Sequence, residues 1–255
     1  MANSKELIKT TDLLLEIASI LMVSGANTIR INSNIDRFVE VLNYKASCFI
    51  SHKSIVMTVY TENDLESCTR VKNIPPYAIN FSIISAISKL SWEASNENWS
   101  LNEIAQAINS IKKSKRYPRI IILLAVSIAG AGFCNIFKGD YINMLIAFIS
   151  TFTGLFILQT AHQKHFNLYF RIFLASFIAS FIASLGVVYD IGANPVAALV
   201  TSILFLVPGV PLINSFTDLL DSNIINGLVR FTTGLMIVLA IAMGLFLTLL
   251  IFQLN

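Results

Sequence analysis

The chain has 255 residues, of which 55% are hydrophobic and 13% are charged, and its formal net charge is +3. Residues 1–119 hold 25 of the 33 charged residues, whereas residues 120–255 hold only eight. So few charges exclude an ordinary water-soluble domain for the second part, which is predicted to lie in a membrane. The first part has the composition of a soluble domain.

Residues 1–119 carry both helical and strand patterns. Apolar residues recur at helical spacing, as at Leu14, Ile17 and Leu21, and Ser100 with Glu103 forms a capping-box pair. The predicted helices span residues 7–23, 27–43, 77–94 and 101–113, and runs rich in β-branched residues predict strands at 46–50, 54–60 and 68–74. This order is typical of a small α+β domain with helices over one sheet face.

Five apolar segments approach the roughly 20 residues that a membrane-spanning helix needs. The predicted spans are residues 120–137, 141–158, 170–188, 195–213 and 224–252. The predicted fold class is therefore an α+β cytoplasmic domain, residues 1–119, followed by an all-α membrane domain of five transmembrane helices, residues 120–255.

A basic cluster precedes the first predicted span and consists of Lys112, Lys113, Lys115, Arg116 and Arg119. A basic run can bind nucleic acid, but one beside a membrane span is better explained by the positive-inside rule. We therefore expect no nucleic-acid partner. The opening residues are polar and do not resemble a signal peptide. The sequence predicts a multi-pass protein of the cytoplasmic (inner) membrane, embedded in the lipid bilayer, with a cytoplasmic N-terminus.

The fourth predicted span contains a break at Pro208, Gly209 and Pro211. Proline lacks a backbone donor and clashes with the preceding turn, so regular helix should stop near Val207. The freed backbone groups cannot face hydrocarbon, and broken helices of this kind line the cavities of many transporters. These three residues are predicted to belong to a substrate pathway or its gate. A simple turn between two ordinary spans is the alternative.

Polar residues that follow the break extend this candidate pathway. Asn214 and Asp218 lie in the next segment, and Arg230 begins the fifth span opposite Asp218 and Asp221. Polar groups inside a membrane are costly and tend to be functional. Arg230 and these acids predict an ion pair that holds the break shut or a contact with an anionic substrate, and a structural salt bridge is the alternative. A wider pool of pathway candidates comprises Asn135, Asn143, Thr153, Gln159, Asn194, Thr201 and Ser202.

The turn between the first two helices is a candidate for the cytoplasmic entrance. It contains Gly25, Asn27, Thr28 and Arg30. Backbone N–H groups at the start of a helix, together with its dipole and an arginine, suit a carboxylate or a phosphate. The alternative is that Gly25 ends one helix, Asn27 or Thr28 caps the next, and Arg30 pairs with an acid of the same domain.

The sequence contains no recognisable motif for enzymatic chemistry. Cys48, Cys68 and Cys134 lack metal-ligand spacing, and His162 and His165 have no accompanying carboxylate or cysteine. Nucleophile elbows, phosphate-binding glycine loops and zinc-protease helices are also missing. We expect no enzyme activity, no catalytic residue, no metal site and no cofactor.

Three stretches resemble the threonine/serine exporter family. They are SGANTIRINSNIDRF at 24–38, the strand pair with residues 71–76, and LVPGVPLINSFTDLLDSNIINGLVR at 206–230. The positions that match the family's motifs are Gly25, Arg30, Pro208, Gly209, Pro211, Asn214, Asp218, Gly227 and Arg230. The length is similar to the larger subunit of the family's two-chain form, which is associated with succinate export. The resemblance implies export of a small polar or anionic metabolite and a smaller membrane partner of about five spans. A partner or a second copy also agrees with the common pairing of two related halves in transporters.

Two functions follow from these patterns. The first is a subunit of a secondary exporter of small polar or anionic metabolites, such as threonine, serine or succinate, that works with the smaller partner or as a homo-oligomer. The second is a membrane-anchored metabolite sensor or regulatory scaffold, in which the N-terminal domain binds a ligand and the spans only assemble with a partner.

Overall fold

The structure is a computed structural model that describes residues 2–51, 53–61, 63, 66–113 and 117–254. Lys115 and Arg116 of the basic cluster lie outside these residues. The described part contains α-helices and one antiparallel sheet. The elements in chain order are α1 (Ala2–Val23), α2 (Thr28–Val41), β1 (Tyr44–Ile50), β2 (Ser54–Thr61), β3 (Ser67–Asn73), α3 (Phe81–Glu97), α4 (Leu101–Lys112), α5 (Arg119–Ile136), α6 (Tyr141–Gln163), α7 (Leu168–Val188), α8 (Pro195–Ser202), a 3-10 turn (Leu204–Leu206), α9 (Gly209–Leu220) and α10 (Ile224–Phe252).

These elements form two compact units. The first unit comprises Met1–Lys115 together with Val210–Phe231, and the second comprises Arg116–Gly209 together with Thr232–Asn255. The first unit therefore contains most of α9 and the beginning of α10, which are more than 90 residues further along the chain than α4.

The sheet of the first unit has the order β1-β2-β3, and both strand pairs are antiparallel. Helix α1 packs against β2 and β3 and buries Leu14, Ile17 and Leu21, which confirms the predicted core face of that helix. The sheet contributes Met57 and Val59 of β2, which are fully buried. The core of the first unit thus lies between one sheet face and the helices that cover it.

Helix α3 begins later than its pattern predicts. We expected it to start at Tyr77 directly after two prolines, but it starts at Phe81. The Asn80 side chain accepts hydrogen bonds from the first turn and so caps the helix. The segment before it instead bonds to the end of α1, where the Ala78 N–H donates to the Val23 carbonyl at 2.9 Å.

The second unit is built from long apolar helices in close contact. Helix α6 packs against both α5 and α7. A Cβ atom added at Gly154 would lie 2.8 Å from the Cβ atom of Ala179, so α6 and α7 approach closely at small residues. The hydroxyls of Ser180 in α7 and Thr248 in α10 share a hydrogen bond of 2.7 Å.

Four helices among the described residues are long and apolar enough to cross a membrane: Arg119–Ile136, Tyr141–Gln163, Leu168–Val188 and Ile224–Phe252. Pro195–Leu206 and Gly209–Leu220 meet the same criteria only as a pair that is bent by 60°. The bend lies at Val207 and Pro208, between the 3-10 turn and α9. The described part of the chain therefore has four such segments, or five if the bent pair is one span.

The predicted fold class is wrong. We expected a distinct α+β cytoplasmic domain followed by a membrane domain of five transmembrane helices, but residues 210–231 belong to the same compact unit as the sheet. The physical reason is the polar content of this segment. Its buried Ser215, Asp218, Asn226 and Arg230 need hydrogen-bonding and charged partners, and the first unit supplies them. The side of the membrane on which residues 1–119 lie stays a prediction.

Candidate functional site

The first unit contains a buried ion pair between α9 and α10. The Arg230 Nη1 atom lies 3.2 Å from the Asp218 Oδ2 atom, and the two side chains are only 7% and 0% exposed. Charges removed from water in this way are costly unless they are paired and hydrogen-bonded. The other contacts of both side chains are therefore informative.

Asp218 also contacts the beginning of α2. Its Oδ1 atom accepts a hydrogen bond of 3.0 Å from the backbone N–H of Thr28, the first residue of that helix. The first N–H groups of a helix have no partner within the helix, and the dipole is positive there. The carboxylate of Asp218 thus occupies an anion-binding position that is formed by a helix N-terminus and an arginine.

Arg230 has further contacts in the first unit. Its Nη2 atom donates to the Ala26 carbonyl at 3.0 Å and lies 3.5 Å from the Met22 sulfur. The Tyr77 side chain also lies close enough to Arg230 and Asp218 for both charges to influence the pKa of its phenol. Loss of water contact raises the pKa of the Tyr77 phenol, and the opposing influence of Arg230 is smaller. Tyr77 therefore stays neutral at physiological pH.

Two asparagine side chains connect α9 and α10 to the rest of the first unit, and a serine hydroxyl connects the two helices to each other. Asn214 donates to the Gly25 carbonyl at 2.7 Å, and Asn226 donates to the Ile50 carbonyl at 2.8 Å. Ser215 donates to the Gly227 carbonyl at 2.8 Å, which joins α9 to α10. These bonds fix α9 with its polar face inward.

Some polar atoms around the ion pair retain unused bonding capacity. Among the described residues, Asp218 Oδ2, Arg230 Nη1 and Asn226 Oδ1 are buried and make no aligned hydrogen bond. The first two atoms are within ion-pair distance of each other but are not aligned as donor and acceptor. A buried group in this state can still bind a small polar ligand.

The structure brings together several of the residues that the sequence singled out. Gly25, Thr28, Asn214, Asp218 and Arg230 are joined by the contacts given above. Gly25 ends α1 with a φ of +93°, a conformation that favours glycine.

Other predicted site residues lie elsewhere. Asn27 caps α2 by accepting from the Arg30 N–H, and the Arg30 side chain donates to Ser88 and not to an acid. Pro211 lies in the first turn of α9, and Asp221 is exposed just after that helix. Pro208 lies in the bend, and Gly209 is the first residue of α9.

Sequence reasoning missed Tyr77 and Asn226 as members of this site. An asparagine one turn before an arginine in an otherwise apolar helix was an available signal for Asn226. Tyr77 carried no such signal, because its contact with Arg230 joins residues far apart in the chain.

The pool of polar residues in the second unit is mostly engaged in local structure. Asp140 and Asn143 cap α6, and Asn143 also accepts from the Asn194 N–H. Thr153, Thr201 and Ser202 bond back to carbonyls of their own helices, Gln159 accepts from Arg119, and Asn135 is exposed. His162 contacts Arg171. No group of metal-binding side chains occurs among the described residues.

A different set of hydroxyls lies buried in the second unit and was missed. The buried hydroxyls outside the pool include those of Ser127, Ser150, Thr151, Ser176, Ser180 and Ser184. Of these, Ser150, Thr151 and Ser184 make no hydrogen bond within the described part of the chain. Serine in a span usually bonds back to its own helix, so the sequence could not distinguish these three from the others.

An open cleft lies next to Tyr77 in the first unit. Its volume is about 450 Å³, and its lining consists of Lys53, Asn73, Ile74, Pro75, Pro76 and Tyr77. Tyr77 therefore contacts both the cleft and the buried arginine.

A buried ion pair in a chain with four or five long apolar helices is typical of membrane transporters. Residues 12–252 match the family described as "Putative threonine/serine exporter", so the chain belongs to this transporter family and is a multi-pass membrane protein. The resemblance predicted from the sequence is confirmed.

Two relatives are similar over almost their whole length. The "Probable succinate transporter subunit YjjP" of Escherichia coli is 26% identical over 96% of this chain and 95% of its own. The protein of the same description from Klebsiella aerogenes is 24% identical over 95% of this chain and 94% of its own. No solved structure matches the chain.

Proposed function

We propose that the chain is one subunit of a secondary exporter of small polar or anionic metabolites that carry a carboxylate. The candidates are amino acids such as threonine and serine, and dicarboxylates such as succinate. Family membership and the description of both relatives as succinate transporter subunits support this class. The chain acts by transport and not as an enzyme.

The observation that carries the proposal is the burial of Arg230 beside Asp218. A buried ion pair is weak as a device for stability, because desolvation offsets much of its attraction. A guanidinium with an unaligned donor is well suited to a carboxylate, which it binds through charge-assisted hydrogen bonds. We therefore assign Arg230 to substrate binding and Asp218 to gating.

The bent pair of α8 and α9 forms part of the pathway in this proposal. The helical hydrogen bonds are interrupted at Val207 and Pro208, and Gly209 and Pro211 follow in the first turn of α9. Freed backbone groups at such breaks bind substrates in other transporters. Asn214 follows the break on the inward face of α9. The buried hydroxyls of Ser150 and Ser184 provide further polar groups along the spans of the second unit.

The working assembly contains a second chain or a second copy. Both relatives are described as subunits, and transporters commonly pair two related halves. The partner is a smaller membrane protein of about five spans or another copy of this chain. The basic cluster supports a cytoplasmic N-terminus by the positive-inside rule, and we assign the protein to the inner membrane. Gly25, Asn27, Thr28 and Arg30 lie at the cytoplasmic entrance.

Reconstitution in liposomes tests the proposal. Efflux of labelled succinate, threonine and serine is measured for the chain alone and with its candidate partner, with and without a proton gradient. We expect flux with the partner and a loss of flux in Arg230→Ala. Arg70→Ala is the matched control, because Arg70 is an exposed arginine of β3 that pairs with Asp12. Normal flux in Arg230→Ala would exclude the assigned role.

A membrane-anchored metabolite sensor is the second candidate. The open cleft beside Tyr77 favours it, because a ligand there could bind to the first unit without being transported. Tight binding of a metabolite by the full chain, with no flux in any reconstituted assembly, would support the sensor over the exporter.

A further inference from the structure

Asp218 occupies the position that a substrate carboxylate would take. One of its oxygens accepts a hydrogen bond from the backbone N–H of Thr28, and the other lies 3.2 Å from the guanidinium of Arg230. A helix N-terminus and an arginine are the two elements that bind carboxylates most readily. The carboxylate of Asp218 therefore fills the anion-binding position that Thr28 and Arg230 form.

The site is built to hold one carboxylate group. Arg230 is in contact with Asp218. Arg30 is the arginine nearest to Thr28 in sequence, but its side chain donates to Ser88. Asn226 lies at the same place, donating to the Thr28 hydroxyl at 3.4 Å, and its Oδ1 atom has no partner among the described residues. A second carboxylate of the same ligand would have to bind outside this cluster.

The cleft is the candidate access route to the occupied site. Tyr77 lines the open cleft and is also close enough to Arg230 for that charge to influence the pKa of its phenol, so one residue links the cleft to the ion pair. The volume of about 450 Å³ lies within the range of small-molecule sites. Lys53 lines the same cleft and provides a positive charge that attracts anions.

We propose that the Thr28 N–H and Arg230 form a carboxylate site that Asp218 occupies from within the chain, and that a substrate carboxylate entering past Tyr77 displaces Asp218. This inference rests on the proposed function for the identity of the ligand. Displacement of Asp218 leaves α9 attached to the first unit by Asn214 and Ser215. Substrate binding is thereby coupled to loosening of the helix that follows the bend.

An internal competitor lowers the apparent affinity for the ligand, because only the fraction of molecules with an open site can bind. The test is equilibrium binding of succinate to the purified full chain, measured for wild type, Asp218→Asn and Arg230→Gln. We expect Asp218→Asn to bind succinate about tenfold or more tightly than wild type. Arg230→Gln should lose binding, and succinamide, which has the same shape without charge, should not bind to any of them.

The matched control is Asp221→Asn, which removes the same charge from an exposed acid three residues away. It should bind succinate as wild type does. If folded Asp218→Asn binds succinate no more tightly than Asp221→Asn, the proposal is overturned. Thermal unfolding of both variants establishes that they are folded.

A second measurement needs no variant. Displacement of Asp218 should speed amide hydrogen exchange in residues 209–223 of the wild-type chain when succinate is added, and succinamide should have no such effect. Unchanged exchange at saturating succinate would contradict the displacement.

The outcomes also separate this inference from the proposed function. Flux in liposomes together with unchanged affinity in Asp218→Asn would leave the exporter intact and overturn the internal competitor. Tighter binding in Asp218→Asn without flux in any assembly would support the site and overturn the exporter.

Discussion

Gly227 in α10 lies directly against Leu219 in α9. A Cβ atom added at Gly227 would be 2.7 Å from the Leu219 Cγ atom and 3.0 Å from its backbone nitrogen. Backbone cannot move aside as a flexible side chain can, so the absence of a side chain at Gly227 is what allows the two helices to approach. This approach places Asp218, the residue before Leu219, within reach of Arg230.

We predict that Gly227→Ala destabilises the chain by about 1–3 kcal/mol, the usual cost of overpacking a close contact. The double variant Gly227→Ala, Leu219→Ala should recover part of this loss, because it removes the Cγ and Cδ2 contacts and leaves only the backbone contact. Thermal unfolding in detergent measures both. A Gly227→Ala variant as stable as wild type would show that α9 and α10 can separate freely.

The ion pair predicts that substitutions of Asp218 and Arg230 have strongly non-additive effects on the free energy of unfolding. Removing one member of a buried pair leaves the other charge uncompensated and typically costs about 3–5 kcal/mol, whereas removing both is much less harmful. We expect Arg230→Met to be more destabilising than the double variant Arg230→Met, Asp218→Asn. The measurement is a double-mutant cycle by thermal or denaturant unfolding. Additive losses would mean that the two side chains act independently.

Much of the first unit could be predicted from local patterns. The burial of Leu14, Ile17 and Leu21 follows from helical spacing, and the strands follow from β-branched runs. Asp218 and Arg230 were identified because charges are rare among apolar residues. These signals are all contained in short windows of sequence.

The connection between distant segments could not be predicted in the same way. The hydrogen bond from Thr28 to Asp218 joins residues 190 positions apart, and nothing near either residue indicates the other. The assumption of one soluble part and one membrane part led to the wrong fold class, because it assigned residues 210–231 by hydropathy alone. Their polar residues are satisfied by the first unit, and that pairing decides where they belong.

Cys48 of β1 allows a prediction about reactivity. Burial raises the pKa of its thiol to about 11, and the nearby Asp36 adds to the effect. Thiolate is the reactive form, so at pH 8 only about one thiol in a thousand is ionised, compared with about one in ten for an ordinary cysteine with a pKa of 9.0.

We therefore expect alkylation of Cys48 by iodoacetamide in the folded chain to be about 100-fold slower at pH 8 than in the unfolded chain. The rate should continue to rise through pH 10, because the group ionises only near its raised pKa. Mass spectrometry of the Cys48 peptide gives the rate, and the chain in guanidinium is the control. A rate that levels off below pH 10 would contradict the raised pKa.

The last prediction concerns Gly244, where α10 meets α7 in the second unit. A Cβ atom there would lie 2.6 Å from the Phe173 carbonyl oxygen and 2.8 Å from the Phe177 nitrogen, both of which are backbone atoms. Contacts this short cannot be relieved by a change of rotamer, and small residues at helix contacts in membranes serve this close approach.

Gly244→Ala should therefore lower the free energy of unfolding by about 1–3 kcal/mol. Gly132→Ala is the matched control, because a Cβ atom at that helical position has no neighbour within 4 Å. We expect it to keep the stability of wild type or to raise it by up to about 1 kcal/mol, because alanine favours a helix over glycine. Thermal unfolding of both variants in the same detergent provides the comparison. Equal stability of the two variants would mean that α7 and α10 are not held in close contact, and the bond between Ser180 and Thr248 would then lose its structural basis.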